Sequence, residues 1–208
     1  MMCHLLSCSI WKVAFSFSND ILSSRMSTQT ATHFVALLAI IGQAGVVLVV
    51  LGLPWRKTVL RKAYEMLSDQ ALRGAFIVAI LSMFGSLYFS EVAKYAPCEL
   101  CWYQRILMYP QVVLLGLALA KKNRDVVLQI LILCGLGIVI AVYHVYLQSG
   151  GTALVPCSTT ISLAVPCGQK NFLEFGYVTI PIMALTSYVM IIVAILLHRR
   201  STKTASTE

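Results

Sequence analysis

Four of the seven cysteines fall into two groups whose spacing suits thiol chemistry: Cys98 and Cys101, with two residues between them, and Cys157 and Cys167, with nine between them. The first pair sits in Pro97-Cys98-Glu99-Leu100-Cys101, directly ahead of an apolar stretch. A cysteine in the first turn of a helix gains from unpaired backbone N–H groups and the positive end of the helix dipole, which lower its pKa. Arg105 follows Cys101 by four residues, hence on the same helical face, where a fixed positive charge can approach that sulfur. A dithiol so placed can close to a disulfide and release two electrons. The same four letters also fit a structural bridge or half of a zinc site; zinc usually takes four N or S ligands, and only Cys157 and Cys167 could complete them. No resident metal is therefore expected.

The elements that position these residues follow from composition. The chain has 208 residues, 59% hydrophobic and 12% charged, with a mean hydropathy of +0.82. That apolar surplus exceeds what a core of this length can hide, so lipid must solvate much of the surface. An ordinary soluble domain, a disordered chain and a nucleic-acid binder are excluded. Stretches of about 20 apolar residues can span a bilayer, and five qualify: Phe34–Leu53, Ala75–Ala96, Trp102–Ala120, Val126–Leu147 and Tyr177–Leu197. Pro110 and Pro181 are expected to kink their helices. The fold class is thus all-α, a four-helix transmembrane bundle with one added N-terminal helix.

Charge sets the orientation. Arg56, Lys57, Arg61, Lys62 and Arg73, then Lys121, Lys122 and Arg124, then Arg199, Arg200 and Lys203 lie in segments that alternate onto one side. The opposite side holds only Lys12, Arg25, Lys94, Arg105 and Lys170. Cationic loops stay in the cytoplasm, so the N-terminus and both cysteine pairs face outward, where disulfides persist. Residues 1–33 form a polar segment without the marks of a secretory signal, and Met26 is an alternative start that would leave 1–25 untranslated. Residues 34–74 comprise the added helix and a basic loop, 75–197 the four-helix redox domain, and 198–208 a cytoplasmic tail. Cys134, mid-span, reads as a small buried hydrophobe.

Depth brings in a cofactor. The helical rise puts Arg105 about one turn below the outer boundary at Trp102 and His144 near the same level. Ionisable groups at such depth are functional candidates, against the plainer readings of a snorkelling arginine and an interfacial histidine. Arg105 and His144 beside Cys101 suit the two ring carbonyls of a membrane quinone, ubiquinone or menaquinone. Cys157 and Cys167 lie in a loop with Gly150, Gly151, Pro156, Pro166 and Gly168, either a static staple or an exchangeable bridge open to a soluble thiol protein.

The run Gly85-Ser-Leu-Tyr-Phe-Ser-Glu91, continuing through Pro97-Cys-Glu-Leu-Cys-Trp-Tyr-Gln-Arg-Ile-Leu-Met-Tyr-Pro110, resembles the DsbB family, most closely its branch of disulfide formation protein C (BdbC). The likeness extends to His144-Val-Tyr-Leu-Gln148, Val165-Pro-Cys167 and Thr179-Ile-Pro181, covering about residues 75–197. It implies a bacterial inner-membrane thiol:quinone oxidoreductase that reoxidises an extracytoplasmic thioredoxin-like partner of DsbA or BdbD type. By the resemblance, Cys98 and Cys101 are the quinone-proximal pair, with Cys101 meeting the quinone. Arg105 and His144 line the quinone site. Cys157 forms the mixed disulfide with the partner, and Cys167 passes electrons to Cys98. Two features depart from the family pattern: the N-terminal helix and the spacing of the loop pair. Two rival readings are a vitamin K epoxide reductase-like enzyme, whose loop cysteines precede its Cys-x-x-Cys, and a nonenzymatic membrane protein with structural disulfides.

Overall fold

The computed structural model describes residues 29–52, 61–121, 124–152, 167–168 and 173–204, with side chains omitted at 61–69, 121, 124–125 and 200–204. Cys157, Cys3 and Cys8 lie outside the described residues. The described chain is all-helical: α1 (Gln29–Gly52), α2 (Arg61–Leu87), a π-helical turn (Tyr88–Val92), α3 (Glu99–Lys121), α4 (Arg124–Gln148) and α5 (Ile180–Thr204). A single antiparallel bridge, Glu174 to Val178, closes the turn ahead of α5.

Helices α2 to α5 form a ring in which α2 packs on α3 and α5, and α4 packs on α3 and α5. Small side chains allow the close approach. Ala75 and Ala79 of α2 meet Met108, Leu115 and Ala118 of α3, Ile130 and Cys134 of α4, and Tyr188, Ile191 and Ile195 of α5 in one buried core. Without a hydrophobic drive between helices in lipid, such small-residue contacts carry the packing. Gly137 faces the Tyr188 ring so closely that any Cβ there would clash with it.

Helix α1 lies along α5. Ala36 is buried with Val178, Gln43 Nε2 donates to Thr186 Oγ1 at 3.0 Å, and Tyr177 OH donates to Gln43 Oε1 at 2.9 Å. His33 Nδ1 lies 3.0 Å from a Glu174 carboxylate oxygen. The outer face of α1, including Phe34, Ile41 and Leu48, is exposed.

Among the described residues, four helical segments are long and apolar enough to cross a membrane: Gln29–Gly52, Gln70–Val92, Val126–Gln148 and Ile180–Arg199. Helix α3 has the length, but Glu99, Gln104, Arg105 and Gln111 reduce its apolarity. Two expected boundaries shift. The second helix begins at Arg61 rather than Ala75, because residues 61–74 are rich in good helix formers. It ends at Val92 rather than Ala96, because Lys94 takes a left-handed φ of 57° and Pro97 disfavours helix just before it. Pro181 is the second residue of α5, a first-turn position where the missing N–H costs nothing.

Candidate functional site

Three helix ends build the site. The π turn after α2 closes through Ala93 N–H to Tyr88 O at 3.0 Å, and Tyr95 N–H returns to Phe89 O at 2.9 Å. Such widened turns recur at functional sites. This one, followed by Lys94, turns the chain back into Pro97 and Cys98. Cys98 then caps α3: its carbonyl accepts from Trp102 N–H at 3.2 Å, and its Sγ accepts from Cys101 N–H at 3.3 Å. A sulfur thus fills the place a serine or aspartate oxygen commonly takes at an N-cap. Helix α4 ends in a Schellman motif, with Gly151 N–H to Tyr146 O and Gly150 N–H to Leu147 O, both 3.1 Å. Gly150 carries the positive φ of 93° that the motif requires.

These ends converge on two sulfurs and an imidazole. Cys98 Sγ and Cys101 Sγ are 2.7 Å apart, and Cys98 Sγ is 3.6 Å from His144 Nε2. The other ring nitrogen, Nδ1, meets the Gln104 side-chain amide at 3.3 Å. Nε2 donates to or accepts from the Cys98 sulfur according to the tautomer, which the facing of the Gln104 amide sets. Gln104 is held in turn from α5, where Tyr188 OH donates to its backbone carbonyl at 2.8 Å. Cys167 is buried in the same cluster as Cys98 and Leu147, with Leu100, Cys101 and Tyr143 against it. The structure therefore brings Cys98, Cys101, His144 and Cys167 to one end of the bundle.

Arg105 has partners on α2 and on its own helix. Its guanidinium donates to Ser86 O of α2 at 3.2 Å and lies over the Trp102 ring, 5.3 Å from the centroid. Its charge acts on Cys101, whose thiol is held below the ordinary value. The hydrogen bond from the Cys98 thiol is the largest cause; burial opposes it, and a backbone hydrogen bond at Cys98 and the Arg105 charge assist it. Cys98 moves the other way, pushed up to about 12 by its hydrogen bond with Cys101 and by burial. The negative charge of a singly ionised pair thus resides on Cys101.

Cys134 is buried in the core, and its thiol donates to Gln111 Oε1 at 3.2 Å. Sequence reasoning passed over Gln104, Gln111 and Tyr188. The signal was there: two glutamines seven residues apart in an apolar helix share one face and must find polar partners inside the bundle. Both point at α4, Gln104 to His144 and Gln111 to Cys134.

The family model for the disulfide bond formation protein DsbB matches residues 68–198. The disulfide bond formation protein C of Bacillus subtilis (strain 168) is 42% identical over 125 residues, 59% of this chain and 87% of the relative. The probable disulfide formation protein C of Halalkalibacterium halodurans is 39% identical over 132 residues, 62% and 93% of the two chains. A probable disulfide formation protein of Coxiella burnetii (strain CbuK_Q154) is 34% identical over 122 residues, 59% and 82%. No solved structure matches the chain significantly. With the paired sulfurs, their imidazole and their helix caps all inside the matched stretch, the chain belongs to the DsbB family of disulfide bond formation proteins.

Proposed function

We propose that this chain is a membrane thiol:quinone oxidoreductase that generates disulfides, spanning the bilayer five times with both cysteine pairs outside. The observation that carries the reading is the unequal setting of two adjacent sulfurs: Cys98 buried beside His144, Cys101 half-buried beside Arg105 with its thiol lowered. A dithiol that must lose two electrons needs one sulfur as thiolate and a base for the proton of the other, and these residues supply both.

The residues present fit a membrane quinone as electron acceptor. Arg105 spends one of its five N–H donors on Ser86 O, and exposed Trp102 and Ile106 flank it on the outward face of α3. When bound there, a quinone supplies a two-electron, two-proton sink. Arg105 orients its ring carbonyl and holds Cys101 ionised. His144, whose two ring nitrogens meet Cys98 and Gln104, takes the Cys98 proton as the Cys98–Cys101 bond closes. The burial of Cys167 beside Cys98 supports a relay in which Cys157 exchanges with an extracytoplasmic thioredoxin-like partner, of DsbA or BdbD type, and Cys167 reduces the Cys98–Cys101 disulfide.

The test is turnover of a reduced thioredoxin-like protein with a soluble quinone. Cys98→Ser and Cys101→Ser are expected to abolish quinone reduction. Arg105→Ala should raise the quinone KM by about 10–100-fold, the worth of one charge-assisted hydrogen bond, with partner exchange intact. Cys157→Ala should leave Cys98–Cys101 oxidised and uncoupled from the partner. A wild-type KM across several quinones in Arg105→Ala would overturn the placement of the ring.

A further inference from the structure

The geometry points to a metal site: in the reduced protein, Cys98, Cys101 and His144 bind a thiophilic d10 cation such as Zn2+, and the bound ion arrests the dithiol in its reduced form. The ligand atoms of these three residues lie within 4.8 Å of one another, and Cys98 and His144 are buried. Zinc bonds of about 2.3 Å to sulfur and about 2.0–2.1 Å to imidazole nitrogen place tetrahedral donors about 3.6 Å apart for sulfur and nitrogen and about 3.8 Å for two sulfurs. The Cys98 Sγ to His144 Nε2 separation is 3.6 Å. The sulfurs, at 2.7 Å, stand between a disulfide and a metal edge, and must part by about 1 Å to become ligands. Cys101 lies in the first turn of α3 and is only half-buried, which leaves its side chain room to turn.

A further feature belongs to a metal centre. Ligating histidines are oriented by a partner on their second nitrogen, and here the Gln104 amide lies 3.3 Å from Nδ1, itself positioned through Tyr188. With its oxygen toward the ring, the amide accepts Nδ1–H and leaves the Nε2 lone pair for the ion. Three protein ligands leave one coordination position open.

Binding moves no electrons. Zn2+ displaces one proton from each thiol and forms two metal–sulfur bonds and one metal–nitrogen bond. Thiolates held as ligands cannot close to a disulfide, and a disulfide offers no thiolate, so the ion discriminates by redox state. That it halts electron flow rests on the function proposed above; that it binds does not.

The experiment uses the full chain in detergent with Cys3, Cys8, Cys157 and Cys167 replaced by Ser, reduced with a phosphine that is then removed. Zn2+ is titrated against a chromophoric indicator, and Cd2+ by its thiolate charge-transfer absorption. One equivalent per reduced chain is expected and none in the oxidised chain. Cys98→Ser and Cys101→Ser should lose the charge-transfer band of a two-thiolate site, His144→Ala should bind at least about tenfold more weakly, and Cys134→Ser should bind as the parent does. In the otherwise unaltered chain, Zn2+ should protect Cys98 and Cys101 from alkylation, and a chelator should restore it. Equal binding by oxidised and reduced protein, or unchanged affinity in His144→Ala, would overturn the site. A protein that binds Zn2+ yet oxidises no partner would instead count against the proposed function alone.

Discussion

Two cysteines 2.7 Å apart acquire opposite characters from their neighbours alone. Cys98 caps the helix, contacts His144 and holds its proton, while Cys101 sits one turn into the helix field with Arg105 beside it. The consequence is measurable as a pH profile. In the Cys157→Ser/Cys167→Ser protein, alkylation of Cys101 is expected to have its midpoint below the ordinary thiol value of 9.0. Arg105→Ala should move that midpoint upward, because the charge favouring the thiolate is gone. A midpoint unmoved by Arg105→Ala would remove Arg105 from the sulfur's electrostatics. The residue types and their spacing were legible in the sequence: Cys98, Cys101, Arg105 and His144 all stand near one end of the bundle. Their pairing was not. Helix depth placed Arg105 and His144 at one level, whereas His144 turns to Cys98 and Gln104, and Arg105 turns to Ser86. Depth is a coordinate along the helix, and partners depend on rotation about it, which requires knowing the neighbouring helices.

Those neighbours are fixed by how the elements end and how closely they pass. The left-handed Lys94 after the π turn and the Schellman cap at Gly150 determine where α3 starts and α4 stops. The sequence showed Gly150-Gly151 as loop residues, yet it held no sign, by hydropathy, that helix extends back to Arg61. A basic segment reads as a loop when hydropathy is the guide, though its residues favour helix. Packing is more demanding at Gly137. The Tyr188 ring occupies the space a Cβ would need, and the same tyrosine holds the Gln104 backbone. Gly137→Ala is expected to destabilise the protein by about 1–3 kcal/mol, the usual cost of overpacking, as read from denaturant unfolding in detergent. It should also slow dithiol oxidation by displacing Gln104. Adding Tyr188→Leu should recover part of the stability, since the large ring is then absent; strictly additive losses would show that the two residues do not meet.

At the scale of the whole molecule, the cysteine-bearing ends gather at one pole, and Lys121, Arg124, Arg199, Arg200 and Lys203 lie at the opposite ends of α3, α4 and α5. Between them runs an apolar belt, with Ile77, Leu81, Val113, Ile132 and Val139 exposed. Read with the rule for cationic loops, an impermeant maleimide on intact cells should label reduced Cys157, and a Lys203→Cys variant only after permeabilisation. The reverse pattern would invert the proposed topology. Family likeness and bundle were legible from the motif and hydropathy; the seat of the N-terminal helix was not, because Gln43 and His33 carry no motif.

That seat has a consequence for how the chain can be divided. Helix α1 is held to α5 and to the turn ahead of it by side chains from His33, on Glu174, to Gln43, between Thr186 and Tyr177, and a polar contact between membrane helices is worth ~0.6 kcal/mol. The covalent join at 53–60 raises the effective concentration of α1 near α5; recognition resides in the contacts themselves. Severed within 53–60 and expressed as two polypeptides, the halves are expected to co-purify, and Gln43→Leu to reduce the yield of the complex. The protein would then behave as a receptor and its tethered ligand, separable pieces that know each other's surface.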